Sequence, residues 1–247
     1  MKQERAGRDG YWQDGDGRAS DGLVRAAWAL PVAMMAAMPV LAQTPRDLLT
    51  AAAYQDSDKA AALGKIDRAR SVALAELKTD GNDQEAAIIA AIAMAYRAKL
   101  SGTRGEALTA RREIEALVAR YPRNAEAQLA LGAWHLGIIN RVGKIMARAG
   151  AGARQDVGLA ALDRAVALGG SRASIVGLAA MLRIEIDPAD VTGRNWLEAA
   201  VKAGAPAPLD RIAQRAVQQV LVALRRGDRK TAQVLADRQL PFGWFKG

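Results

Sequence analysis

Residues 121–132 read YPRNAEAQLALG, and residues 158–168 read GLAALDRAVAL. Each segment combines small and apolar residues in a pattern typical of closely packed helices, and Tyr121-Pro122 interrupts the chain just before the first. Together the two segments predict a helical hairpin. Repeated hairpins of this kind form a surface that holds a partner and supply no reaction chemistry of their own.

The composition of the whole chain agrees with a helical fold. Of its 247 residues 51% are hydrophobic, yet only 4% are aromatic, and alanine, leucine and arginine dominate. This is the composition of close-packed helices, and no segment alternates as a strand would. Helix-start signals occur at Thr44-Pro45 and at Asn82, which would form a capping box with Glu85. We predict an all-α fold of about ten helices, arranged as antiparallel hairpins.

The predicted hairpin resembles the tetratricopeptide repeat family. Leu131 and Gly132 match the leucine and glycine of the motif's first helix, Gly158 and Ala165 match its small sites, and Leu162 takes the bulky site between them. The spacing departs from the family, because about fourteen residues exceed its period of roughly 34. The resemblance implies a short right-handed superhelix with a concave binding groove, and by analogy an auxiliary role in envelope assembly or solute uptake.

The N-terminal region is predicted to be an export signal. An apolar run covers residues 26–42 after Arg25, and small residues precede a cleavage site at Ala42. The alternative is a membrane anchor, but Pro31 and Pro39 interrupt the run, which is shorter than the roughly 20 residues a spanning helix needs. We therefore predict a signal peptide at 23–42, a mature helical-repeat domain at 43–247, and a periplasmic or secreted protein. Residues 1–22 would be disordered, or an extension upstream of the true start codon.

The charge balance narrows the class of partner. The chain has a formal net charge of +9 and no cysteine, and residues 1–42 carry equal numbers of acidic and basic side chains. An exported chain meets little nucleic acid, so anionic lipids, saccharide phosphates or acidic proteins are the anionic partners to consider. The alternative is that the arginines only cover solvated helix faces.

An insertion at residues 137–152 interrupts the hairpin. Its isoleucines share a helical face with Val142 and Met146, whereas Arg141, Lys144 and Arg148 lie on another. Three interpretations stay open: a contact with a membrane or an amphiphilic ligand, a flexible lid, or an elongated core helix with a solvated basic face.

Aromatic residues give two further candidate binding sites. Trp134 and His135 adjoin the hairpin's glycine and would stack on a ligand, or else belong to the core. At the C-terminus, residues 241–247 hold Phe242, Trp244 and Phe245. This aromatic tail is predicted to dock against the final helices, to fill the groove as an internal ligand, or to bind a partner.

Enzyme chemistry is not indicated. The chain has no cysteine nucleophile, no phosphate-binding loop and a single histidine, so we predict no catalytic residues, no metal and no cofactor. We expect a non-catalytic adaptor or scaffold that binds a protein or peptide in its groove. The alternative is a carrier of a small amphiphilic or anionic ligand.

Overall fold

The computed structural model describes residues 43–245, and every regular element in that range is an α-helix. The predicted all-α class is therefore confirmed, with eleven helices where about ten were expected. The predicted segments 1–22 and 23–42 lie outside the described residues. The helices are α1 (Pro45–Tyr54), α2 (Lys59–Thr79), α3 (Gln84–Ser101), α4 (Arg104–Arg120), α5 (Ala125–Val142), α6 (Lys144–Ala151), α7 (Gln155–Gly169), α8 (Ala173–Ile186), α9 (Val191–Lys202), α10 (Pro208–Arg225) and α11 (Arg229–Gln239).

The first helix begins where the sequence predicts. The Thr44 hydroxyl accepts a hydrogen bond from the Asp47 backbone N–H at 3.1 Å, and the Asp47 carboxylate accepts one from the Thr44 N–H at 3.2 Å. Pro45 occupies the first helical position, where its missing N–H costs nothing.

The predicted cap of α3 was wrong by one residue. The Asp83 carboxylate, not the Asn82 side chain, accepts the hydrogen bond from the Ala86 N–H, at 2.9 Å. Both residue types cap helices well, so their chemistry does not decide between neighbours.

The helices pack as five hairpins in chain order. They pair α1 with α2, α3 with α4, α5 with α7, α8 with α9, and α10 with α11, while α6 lies between the two helices of the third hairpin. Within the described part of the chain, the first helices α1, α3, α5, α8 and α10 contact one another in that order, whereas the second helices α2 and α4 are joined through the long side chains of Arg70 and Glu113, which pair at 2.7 Å. Three apolar clusters run along this array and form its core.

Ion pairs join the starts of the first helices. Arg46 of α1 pairs with Glu85 of α3 at 2.7 Å and with Glu126 of α5 at 2.8 Å. Arg172, the residue before α8, pairs with Glu126 at 3.0 Å and with Asp210 of α10 at 3.6 Å. The starts of these helices therefore share one edge of the array.

In the third hairpin, the residues that carried the sequence pattern meet. Gly132 of α5 lies against Gly158 of α7, Leu162 and Ala165 are fully buried, and Leu131 is half-buried. Close approach of the two helix axes follows from the missing side chains at the two glycines.

The last helix differs from the other second helices, each of which packs on the first helix of the following hairpin. Besides its partner α10, α11 packs on the first helix α8, and the Gln233 amide donates to the Glu185 backbone carbonyl at 2.8 Å. Among the helices of residues 43–245, none has the length and apolar character to cross a bilayer.

Candidate functional site

The C-terminal tail crosses the molecule and packs on its first helices. The Phe242 backbone N–H donates to the Ala53 carbonyl of α1 at 3.2 Å. The Phe242 ring is buried and meets the Tyr96 ring of α3 edge-on, with centroids 5.0 Å apart. The tail therefore packs on the first helices α1 and α3, while its Gly243 also lies against the last helix, α11.

Trp244 gives the tail a second attachment to the end of α1. Its indole N–H donates to the Asp56 backbone carbonyl at 3.0 Å, and its ring lies 6.1 Å from the Tyr54 ring. Phe245 packs beside it, again with centroids 6.1 Å apart. The backbone bond of Phe242, the indole bond of Trp244 and the aromatic contacts thus hold a tightly turned segment against α1 and α3.

The tail backbone is held in an uncommon conformation. Phe242 has φ = 61°, in the left-handed region that bulky residues rarely adopt. A side chain at Gly243 would place its first carbon 2.0 Å from the Asp237 carbonyl oxygen, so only glycine fits beneath α11. Docking of the Phe242 ring offsets the cost of this turn.

Two polar atoms next to the tail are buried without a hydrogen-bond partner. They are the Tyr54 hydroxyl and one carboxylate oxygen of Asp56, whose other oxygen pairs with Lys65 at 2.5 Å. Burial raises the pKa of Tyr54 well above its usual value, with a smaller contribution from Tyr96. Such atoms lose their hydration without replacement, which is uncommon outside functional or strained regions.

The structure places Trp134 and His135 inside the protein. The Trp134 indole N–H donates to the Ala107 carbonyl at 3.0 Å, and the Arg111 guanidinium lies 5.6 Å from its ring centre. His135 accepts the Arg154 backbone N–H on Nδ1 at 3.1 Å. Burial, reinforced by the charge of Arg111, lowers the pKa of His135 to about 4, so the ring is neutral at physiological pH. In this conformation neither side chain offers a face to a ligand.

The insertion splits into two helices at Gly143, whose φ is 79°. Ile139 is buried before the break and Ile138 is half-buried, whereas Ile145 and Met146 after it are exposed. The apolar face predicted to be continuous is therefore divided between the core and the surface. Arg141, Lys144 and Arg148 are all exposed, and Arg141 also donates to the Lys99 backbone carbonyl at 2.9 Å.

A junction of α3, α5, α8 and α11 was not anticipated from the sequence. The buried Glu185 carboxylate accepts the Asn140 amide at 2.8 Å on one oxygen, and its other oxygen is buried without a partner. Burial raises the pKa of Glu185 to about 8, and the Asp237 carboxylate, within hydrogen-bonding reach, adds to this effect against the opposing charge of Lys99. Burial also lowers the pKa of Lys99, although its side chain reaches water.

One signal could have pointed to this junction. The sequence of α8 is almost wholly apolar, and Glu185 and Arg183 are the two charged residues in it. Arg183 pairs with Asp163 and with Asp190, the latter at 2.9 Å, and its guanidinium lies over the Trp196 ring. Glu185 has no such ion pair, and the nearby Asp237 carboxylate raises its pKa further.

Metal ligands are not grouped anywhere in residues 43–245, where no three acidic or histidine side chains lie close enough to hold an ion. Comparison of the chain with protein-family models, with curated proteins and with solved structures gives no match. The likeness to tetratricopeptide repeats therefore stays a prediction from the residues.

Proposed function

We propose that this chain is a non-catalytic, exported helical-repeat protein that binds a peptide segment of a partner protein on the face of its first helices. The observation that supports the proposal most directly is the chain's own tail. It lies on α1 and α3 as a bound peptide would, with a backbone bond from Phe242 to Ala53 and a buried aromatic anchor on Tyr96.

The arrangement of the hairpins favours a concave face at this place. First helices whose backbones approach one another, beside second helices such as α2 and α4 that meet through the long side chains of Arg70 and Glu113, favour a closer spacing on the first-helix side. That difference in spacing bends an array of hairpins toward its first helices, as in tetratricopeptide superhelices. α11 and the tail would then occupy the inside of the curve.

The tail also indicates the chemistry of the partner segment. Its contacts favour aromatic side chains on a turned backbone, with an indole N–H or similar donor that reaches the Asp56 carbonyl. The unpartnered Tyr54 hydroxyl and Asp56 oxygen could receive further donors from a partner with more polar groups than the tail. An aromatic, donor-rich segment is therefore the proposed ligand, and an adaptor role in envelope assembly or transport is the proposed setting.

A tethered tail competes with any such partner. A covalently linked segment has an effective concentration of roughly millimolar, so a partner in trans must bind more tightly than the tail or meet a chain whose tail is released. The apparent affinity of the intact chain is lowered by the fraction of molecules whose tail is docked.

The test uses a chain that ends at Leu240 and a fluorescent peptide of residues 241–247. Fluorescence anisotropy should show that the peptide binds the shortened chain, with at least tenfold weaker binding to the intact chain. A matched peptide with Phe242→Ala and Trp244→Ala should not bind. Peptides selected from a random library on the shortened chain should be rich in aromatic residues and should compete with the tail peptide.

A second, full-length variant keeps the test valid if the shortened chain does not fold. The full-length Phe242→Ala/Trp244→Ala chain keeps its length but loses the anchors, and circular dichroism reports the helix content of both. Failure of the tail peptide to bind either folded variant, together with a library selection that enriches nothing, would contradict the proposed function.

A further inference from the structure

Three apolar side chains at the junction of α5 and the short helix α6 are exposed to solvent. Val142, at the end of α5, is 50% exposed, and Ile145 and Met146 are 84% and 64% exposed. An isoleucine with so large an exposed fraction is unusual, because its burial is favourable wherever a neighbour can cover it. We call Val142, Ile145 and Met146 the apolar tip.

Basic side chains surround the apolar tip. Lys144 and Arg148 line an open depression of about 480 Å³ together with Ile145 and Ala149. Arg154 close by is paired with Asp156, but Lys144 and Arg148 form no ion pair with any described residue. Two cations that form no ion pair within residues 43–245 therefore border the exposed apolar side chains.

The protein holds α6 in this orientation. Ala147 and Ala153 are buried beneath it, and the Arg104 and Arg111 guanidinium groups donate to the carbonyls of Gly150 and Ala151 at 2.7 and 2.9 Å. These donors satisfy the last carbonyls of the helix and favour its negative end. The apolar tip is thus presented on a fixed support.

We infer that α6 is a membrane-contact element that places Val142, Ile145 and Met146 among the lipids of an anionic bilayer while Lys144 and Arg148 bind the headgroups. A bilayer requires no complementary shape, and apolar side chains framed by Lys and Arg are the combination that interfacial helices use. This inference is independent of the peptide site on α1 and α3.

A protein partner fits the apolar tip less well. Three aliphatic side chains offer roughly 100 Å² each, whereas a stable protein interface buries about 800 Å² per partner. The side chains of the apolar tip are mostly exposed, so a partner would need a matching cavity to cover them. Binding to an acidic protein in place of vesicles is the competing outcome of the test.

The test measures sedimentation of the chain with vesicles of phosphatidylglycerol and phosphatidylcholine, against vesicles of phosphatidylcholine alone. Binding to the anionic vesicles should weaken as salt rises. Ile145→Gln/Met146→Gln should weaken it at least tenfold, and Lys144→Gln/Arg148→Gln by roughly 25-fold. Matched controls are Val191→Gln, an exposed valine on α9, and Lys202→Gln/Arg215→Gln, which removes the same charge elsewhere; both should stay within twofold of wild type.

Entry of the apolar tip into the bilayer can be measured separately with a spin label. Because the chain has no cysteine of its own, a single introduced cysteine carries the label. A spin label on Ile145→Cys should become accessible to oxygen and protected from a water-soluble relaxation agent when anionic vesicles are added, whereas a label on Val191→Cys should not change. The inference is overturned if anionic vesicles do not bind the chain, if the α6 and control variants bind equally, or if the label at position 145 stays in water. Circular dichroism of every variant checks that the fold is retained.

Discussion

Gly132 of α5 and Gly158 of α7 touch so closely that neither position has space for a methyl group. A methyl carbon at Gly132 would lie 3.0 Å from the Gly158 carbonyl oxygen and 2.5 Å from the Leu162 side chain, and one at Gly158 would lie 2.9 Å from Leu136. All three distances are shorter than van der Waals contact. The two glycines therefore fix how closely the helices of the third hairpin approach.

Gly132→Ala and Gly158→Ala are each expected to lower the free energy of unfolding by about 1–3 kcal/mol, because the core must move to admit the methyl group. Urea unfolding followed by circular dichroism measures this. Gly137→Ala is the matched control on α5, since a methyl there meets nothing within 4 Å. It should be neutral or stabilise the chain by up to about 1 kcal/mol, from helix propensity alone. Equal effects at Gly132 and Gly137 would show that the crossing is looser than described.

Much of this hairpin could be predicted from the sequence, because its signals are local or regularly spaced. Small residues at helical spacing indicated the α5–α7 crossing, and Thr44 with Pro45 indicated the start of α1. The cap of α3 was displaced because Asn82 and Asp83 are adjacent residues with the same capping chemistry. The break at Gly143 was missed because an apolar pattern continues across it and glycine is also tolerated inside helices.

Glu185→Gln tests whether the buried Glu185 carboxyl at the junction of α8 and α11 stays protonated in the folded chain. Between the usual pKa near 4.5 and the raised pKa of about 8, the folded chain keeps a proton that the unfolded chain has released. The unfolded state then binds fewer protons, so the free energy of unfolding falls as pH rises across this window, by about 1.4 kcal/mol per unit at most. Glutamine cannot ionise, and its amide can donate a hydrogen bond to the nearby Asp237 carboxylate.

The Glu185→Gln variant should therefore match wild type near pH 5 and exceed it in stability at pH 8, as measured by urea unfolding at both values. Glu198→Gln is the control, because Glu198 is exposed and pairs only with Arg225 at the surface; its effect should be small at both. A Glu185→Gln chain that is less stable than wild type at pH 8 would mean that Glu185 is ionised and paired with Lys99.

His135→Asn tests how the free energy of unfolding depends on pH on the acidic side, below pH 6.5. Between the lowered pKa of about 4 and the usual 6.5, the unfolded chain binds a proton that the folded chain does not, so stability is lost as pH falls through this window. Asparagine retains an acceptor for the Arg154 N–H but does not titrate. The variant should be less stable than wild type at pH 7, because it leaves a cavity, and the difference should shrink toward pH 4. A constant difference at all pH values would show that His135 has the same pKa in the folded and the unfolded chain.

The candidate peptide site could be predicted only in part. Aromatic composition identified the tail as sticky, but its contact joins residues as far apart as Ala53 and Phe242, and no local pattern encodes a pairing of that separation. Trp134 was a candidate because aromatic side chains serve both cores and ligand sites, and the sequence does not say which side of the helix faces the neighbours.

Replacement of Phe242 tests the docking of the tail. Phe242→Ala should lower the free energy of unfolding by about 3 kcal/mol, because it removes a buried ring from the contact with Tyr96. Val234→Ala, an exposed site on α11, is the control and should change it by no more than about 0.5 kcal/mol. Hydrogen exchange should also increase in α1 and α3, which the tail covers.

Phe242→Gly separates the role of the ring from that of the backbone. Glycine adopts φ = 61° without strain, whereas alanine in the left-handed region costs about 1–2 kcal/mol. If the tail backbone keeps its turn, and its bond to Ala53, after the ring is lost, Phe242→Gly should be more stable than Phe242→Ala, the reverse of the usual order. Alanine more stable than glycine, with equal hydrogen exchange in α1, would mean that the ring alone holds the tail and that the turn opens once it is gone.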